Sequence, residues 1–244
     1  MIMSSEIYTW QERSLLLLGE ESLLKLRANR VAVIGLGGVG AYAAEMIARA
    51  GVGKMLILDS DVVVSTNKNR QLLALDSTIG QSKAELMKAR LLDINPNIEL
   101  TVVSEYLTAE NVERILAPFS PDYVVDAIDT LSPKLSLIAF AYNRDLPLVS
   151  SMGAGAKYDA TKIRITDISK SFNCPLAYVI RKKLRREGIS KGFKVVFSEE
   201  LPDKEAVIAV EEQNKKSQVG TISYIPAVFG CVVAQCVITD LLNM

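Results

Sequence analysis

An α/β fold is predicted, Rossmann-like, with a doubly wound, mostly parallel sheet and a C-terminal extension, and three observations predict it. Short β-branched runs alternate with amphipathic stretches over the first two thirds of the chain. The first run feeds a Gly-x-Gly-x-x-Gly loop, which opens a helix of small residues. An aspartate closes the second run, about 20 residues beyond that loop, where such folds place an acidic side chain.

Taken in order, RVAVI, MLILD, IELTVV, YVVDAI and PLVS read as strands, and residues 39–50, 82–92, 109–116 and 134–144 as the helices between them. After Ser150 the pattern loosens into a strand at KIRIT, a basic helix at 175–187 and a strand at FKVVFS. Residues 203–218, which include EEQNKKSQ, have little apolar periodicity apart from AVIAV, and are expected to form a surface crossover, mobile in part. Residues 219–239 carry no charge. They are expected as a buried helix and not a membrane span: Pro226 suits a first helical turn, and Gln235 and Asp240 suit lipid poorly.

Composition narrows the chemistry. With 244 residues, 49% hydrophobic and 23% charged, the chain can bury the core of one large domain. A formal net charge of +0 argues against a nonspecific nucleic-acid binder, DNA included, and leaves room for a local basic patch. There is no histidine, and Cys174, Cys231 and Cys236 form no Cys-x-x-Cys pair, so common zinc sites and His-based triads are excluded. Unpaired cysteines and an N-terminus without an apolar targeting run fit a reducing, cytoplasmic setting. Cys231 and Cys236, in the apolar final stretch, are expected in the core.

The glycine loop is Gly35-Leu36-Gly37-Gly38-Val39-Gly40. Gly35 permits a tight turn, Gly37 lets backbone approach a phosphate, and Gly40 lets the helix pack on the strand; the helix N-terminus then faces an anion. Asp59 can accept from ribose hydroxyls. Adenosine binding follows from this, but the reaction does not: an NAD-binding domain has the same loop and aspartate. Arg70 and Lys83, just past the ribose-binding strand, fit charge developing on a triphosphate better than hydride transfer. Asn67 and Gln71 can donate to phosphate or ribose, or else cap their own loop. Asp129, at the end of the fourth strand, can hold magnesium or cap the helix after Pro133. Asp126 reads as facing the structure, and Asp61 as either a turn former or a supporting group.

GLGGVG, Asp59, NKNRQ, GQSKAE, INP and VVDAID together resemble the ubiquitin-activating-like adenylating enzymes, which include the molybdopterin and thiamine activators. The resemblance implies that Asn67, Arg70, Lys83 and Asp129 serve ATP and magnesium. It also implies that ERSLLLLGEESLLKL is the family's N-terminal helix, with Arg13 reaching the ATP of a second subunit, hence a homodimer. SSMGAGAKYDATKIRITDISKSFNCPLAYVIRKKLRREGISKGFKVVFSEELP is similar to the corresponding segment of the tRNA threonylcarbamoyladenosine dehydratases. That likeness implies a single adenylating domain, with nucleotide binding in residues 1–150 and substrate binding and dimerisation in 151–244. The implied reaction is ATP-dependent dehydration through an acyl-adenylate. Cys174 stands where that family usually has Asp, as a buried hydrophobe or a reactive thiol. Arg164, Arg181, Lys182, Lys183, Arg185, Arg186 and Lys191 are the candidate tRNA surface, or a solvated face. Rival readings are an activator of a ubiquitin-like sulfur carrier with a sulfur-transfer partner, a nicotinamide-dependent oxidoreductase, and a nucleotide-gated scaffold.

Overall fold

In the computed structural model, which describes residues 9–212 and 215–244, seven runs of chain form one sheet. They are β1 (Arg30–Ile34), β2 (Lys54–Leu58), β3 (Glu99–Val103), β4 (Tyr123–Asp126), β5 (Leu148–Ser151), β6 (Ile163–Asp167) and β7 (Lys194–Ser198). Across the sheet the order is β3-β2-β1-β4-β5-β7-β6, and every neighbouring pair is parallel except β6 with β7. The chain winds outward from β1 to β3, then returns to β4 on the other side of β1. A crevice therefore opens between the C-terminal ends of β1 and β4, the switch point at which such sheets bind ligands.

Eight helices accompany the sheet among the described residues: α1 (Glu12–Leu18), α2 (Glu20–Ala28), α3 (Gly40–Ala50), α4 (Lys83–Ile94), α5 (Val112–Phe119), α6 (Leu131–Tyr142), α7 (Pro175–Leu184) and α8 (Tyr224–Leu242). Successive strand side chains point to opposite faces, so each strand feeds two cores. Val31, Val33, Met55, Ile57 and Val125 meet Ile47 of α3, Met87 of α4 and Phe229 of α8. Ala32, Ile34, Leu56 and Val124 meet Leu116 of α5, Ile138 of α6 and Ile180 of α7. Each fully buried large aliphatic or Phe side chain contributes about 1.5–3 kcal/mol, which is why helices must cover both faces.

At 19 residues α8 is long and apolar enough to cross a bilayer. Here Ile225, Phe229, Val233 and Val237 of that helix are buried against protein. Its C-terminal end is anchored by polar contacts: the Tyr123 hydroxyl donates to Asp240 at 2.7 Å, and Lys194 pairs with the same carboxylate. Cys236 lies in the core, where burial pushes its thiol up to about 11. Cys231 does not; it is exposed on the outer face, because α8 presents only one side to the core.

Several elements differ from expectation; the basic helix, for one, ends as α-helix at Leu184 and finishes in a 3-10 turn over Arg185–Glu187. The N-terminal helical segment is two helices, broken at Gly19. Helix α6 starts three residues before Lys134, because Pro133 sits inside its first turn instead of ahead of it. Helix α5 runs on to Phe119, with Pro118 in its last turn. Within residues 203–218, expected as a surface crossover mobile in part, β8 (Val207–Glu212) and β9 (Lys215–Val219) pair antiparallel outside the main sheet, and residues 213–214 lie outside the described residues. That pair adds nothing to the main sheet; β8 takes up the apolar run AVIAV, whereas β9, KKSQV, has none.

Candidate active site

The glycine loop turns immediately after β1 and is held by its neighbours. Gly35 has φ 93°, and a side chain there would lie 2.8 Å from the carbonyl oxygen of Ala127, just past β4. At Gly40 a Cβ would come within 1.7 Å of the Gly35 carbonyl oxygen, so α3 can pack against the turn only without one. Helix α3 has no side-chain cap, leaving the amide groups and partial positive charge of its N-terminus to an anion. Pro226 of α8 and the backbone of Arg70 close on Gly38, while Gly37 faces Gln71 with space between.

Asp59 lies one residue past β2 and is buried. Its Oδ2 accepts from the Leu36 amide at 2.6 Å and its Oδ1 from the Asp61 amide at 2.8 Å, so this carboxylate also ties the glycine loop to the second strand. A carboxylate has about four acceptor sites, which leaves capacity for ribose. Burial pushes the Asp59 carboxyl up, opposed by the Lys83 charge and the two amides.

Lys83 is the first residue of α4, capped by Ser82, and its side chain is buried. Its Nζ pairs with Asp61 at 2.8 Å. Asp61 is thus a supporting group that steadies both Asp59 and Lys83. In the NKNRQ segment a 3-10 turn places Asn67 inside, where its Oδ1 accepts from the Val64 amide at 3.3 Å, leaving its amide N–H groups to donate outward. Arg70 donates to the Thr66 carbonyl at 3.1 Å and to Asn69 Oδ1 at 2.8 Å, both exposed contacts that a phosphate can replace. Asn69 in turn donates to the Thr221 carbonyl at 2.9 Å, joining this segment to the approach of α8. Gln71 Oε1 is buried without a hydrogen-bond partner in the protein. A stranded acceptor costs about 1–3 kcal/mol, so a donor supplied by a bound molecule suits it.

Asp129 is exposed at the C-terminal edge beyond β4. Thr130 occupies the N-cap position of α6, so Asp129 sits outside the helix and is not its cap. Among the described residues there is no cluster of three or more metal-ligating side chains. One carboxylate beside a triphosphate still suits magnesium, which takes one or two carboxylates together with substrate phosphates.

Gly35 to Gly40, Asp59, Asn67, Arg70, Gln71 and Lys83 therefore converge on one end of the sheet, with Asp129 on the neighbouring strand end. Arg13 is exposed on α1. On the basic surface, Lys182, Lys183, Arg185, Arg186 and Lys191 are exposed, whereas Arg181 is turned back onto Ser171 and Arg164, on the edge strand β6, pairs with Glu199 at 3.2 Å. Cys174 is buried at the N-cap of α7, its Sγ accepting from the Ala177 amide at 3.5 Å, which is the capping task an aspartate performs. A groove along β3, lined by Arg30, Lys54, Glu99, Thr101 and Arg114 among others, contains no residue of the glycine loop. Its charges are already matched, as Arg30 with Asp122, Lys54 with Glu99 and Arg114 with Glu105.

Lys134 had no place in the sequence reading. It is fully buried and pairs with the equally buried Asp126 at 2.8 Å. A lysine in a run as apolar as LSPKLSLIAF was the available signal, since lysine is almost never fully buried unless paired.

The family described as ThiF matches residues 11–244. The tRNA threonylcarbamoyladenosine dehydratase of Bacillus subtilis (strain 168) is 44% identical over 239 residues, which cover 95% of this chain and 94% of that one. The protein of the same name from Escherichia coli (strain K12) is 40% identical over 189 residues, 76% of this chain and 70% of that one. A crystal structure of the E. coli tRNA N6-threonylcarbamoyladenosine dehydratase in complex with ATP matches with TM-score 0.88 and 34% identity, covering 100% of this chain and 98% of that one. The chain belongs to the ThiF family, and within it to the family of tRNA threonylcarbamoyladenosine dehydratases.

Proposed function

We propose that this chain catalyses the ATP-dependent dehydration of threonylcarbamoyladenosine in tRNA. The free carboxylate of the modified nucleoside attacks the α-phosphorus of ATP; an oxygen–phosphorus bond forms, the bond to the β-phosphate bridge breaks, and pyrophosphate leaves. An atom of the carbamoyl group of the same nucleoside then attacks the activated acyl carbon, AMP leaves with the original carboxylate oxygen, and a ring closes as a nitrogen-bound proton is lost. Both reacting groups belong to one nucleoside, so ring closure needs little beyond orientation and exclusion of water.

Each role rests on the site. The uncapped start of α3 and the open backbone at Gly37 suit the phosphates. Asp59 suits the ribose, Gln71 and Asn67 the nucleotide's polar groups, and Arg70 and Lys83 the charge that grows on the α-phosphate. Asp129 would hold magnesium, which supplies further positive charge against the phosphates when bound. Leu16 and Leu17, 75% and 84% exposed on α1, are apolar surface of the kind a second copy covers, which supports a homodimer with Arg13 donated across it. The exposed Lys182, Lys183, Arg185 and Arg186 support a tRNA-docking face at the end of α7. A reducing cytoplasm suits the unpaired cysteines.

The observation that carries the reading is the buried Lys83 at the glycine-loop end of the sheet, paired with the exposed carboxylate of Asp61. Lys83→Ala is expected to melt near the parent and to cyclise modified tRNA at least about a hundredfold more slowly, the loss typical of one transition-state charge contact. The check is mass analysis of tRNA incubated with ATP and magnesium; cyclisation at the parent's rate would refute the assignment.

A further inference from the structure

Asp126 and Lys134 form a charged pair in a region that is otherwise apolar, and both side chains have no exposed surface. Buried ion pairs are a poor source of stability, because desolvation offsets their attraction and apolar replacements are often neutral or better. What sets this pair apart is where its hydrogen bonds go. Asp126 Oδ1 accepts from the amide of Ile128 at 3.1 Å, and Lys134 Nζ donates to the carbonyl of Ile128 at 3.0 Å. Ser150, in β5, donates to Asp126 Oδ2 at 2.5 Å, the oxygen that also pairs with Lys134. Both polar backbone groups of one residue are thus gripped by a single ion pair. That residue lies between Ala127, whose carbonyl abuts Gly35, and Asp129 at the sheet edge.

We propose that Lys134, with Asp126 and Ser150, is a positioning residue for magnesium–ATP: it fixes the peptide of Ile128 so that Asp129 is held over the crevice. The proposal rests on the assignment of Asp129 given above. Lys134 comes from the first turn of α6 and Asp126 from the end of β4, so the pair also sets where the helix begins relative to the strand. An apolar pair of equal volume would fill the same space and leave both groups of Ile128 without their partners. The loop could then turn, and Asp129 would lose its direction while the glycine loop and Asp59 kept theirs.

The test is a double-variant cycle on the full chain, reading ATP affinity by calorimetry with and without magnesium, and fold by thermal melting. Lys134→Met is expected to bind ATP without magnesium as the parent does. The gain in affinity on adding magnesium should fall by about ten- to a hundredfold, the range seen when a group supporting a metal ligand is removed. Combined with Asp129→Ala it should cost nothing further, since it acts through that residue. Lys134→Met strands a buried carboxylate, so Asp126→Asn/Lys134→Met, which removes both charges, is measured in parallel and carries the same expectation if the single variant does not fold. Equal weakening with and without magnesium, additive losses with Asp129→Ala, or a full magnesium gain in the folded double variant would each overturn the proposal. If Asp129→Ala itself leaves the magnesium gain intact, the assignment of Asp129 fails and the proposal with it; if instead the two losses prove additive, the assignment stands and the positioning role does not.

Discussion

At the scale of single residues, Asp59 does two jobs that pull on its charge in opposite directions. Burial makes its ionised form costly, while the Lys83 charge and two backbone amides favour it, with a net upward shift. For an acid raised on folding the sign is clear: ionisation of Asp59 costs stability above its folded pKa, and the cost disappears as pH falls below the unfolded value. Ligand binding runs the other way, because ribose hydroxyls need the carboxylate as acceptor. Adenosine, which carries no titrating phosphate, should therefore lose affinity on acidification at a pH above that at which an exposed aspartate protonates. Asp59→Asn should bind adenosine more weakly and lose this acid limb; the check is affinity against pH, and an unchanged limb in the variant would assign it elsewhere. Asn67, Arg70 and Gln71 are set by local contacts that leave a donor or acceptor unspent.

At the scale of elements, helix α7 shows how a changed residue can keep its task. Cys174 caps it through sulfur, buried near Lys157, whose own pKa burial pushes down against the pull of Cys174 and Glu200. Cys174→Ala should destabilise the fold by about 1 kcal/mol through loss of the cap. Cys174→Asp should keep the fold, since a carboxylate caps better and Lys157 offers compensating charge; thermal melts of the two variants check the order, and an Asp variant less stable than the Ala variant would contradict it. The elements most legible from sequence were β1, β2 and β4, because parallel strands covered on both faces read as apolar runs. The start of α6 was harder, since Pro133 is compatible with more than one position in a first turn. The β8–β9 pair was legible only as the apolar run AVIAV: Val207 and Ile208 are exposed, so that run does not mark a core strand, and β9, KKSQV, has no comparable run. In the candidate site, the glycine loop and Asp59 were readable because their spacing is local. The link between Asp126, Lys134 and Ser150 was not, because it exists only once β4, α6 and β5 have been brought side by side.

At the scale of the whole molecule, one sheet organises everything. Its switch point gathers the glycine loop, Asp59 and Asp129 at the C-terminal ends of β1, β2 and β4, and α8 seals the glycine loop from the side with Pro226. Cations reach that point from the NKNRQ turn and from the start of α4. A triphosphate laid across them would present its α-phosphorus to a carboxylate entering over the crevice, which distinguishes adenylyl transfer from phosphoryl transfer to the same acid. The products separate the two cases. Incubated with ATP, magnesium and tRNA bearing the open nucleoside, the protein should release one AMP and one pyrophosphate for every nucleoside that loses water. Release of ADP and phosphate instead, or ring closure with no nucleotide consumed, would contradict attack at the α-phosphorus.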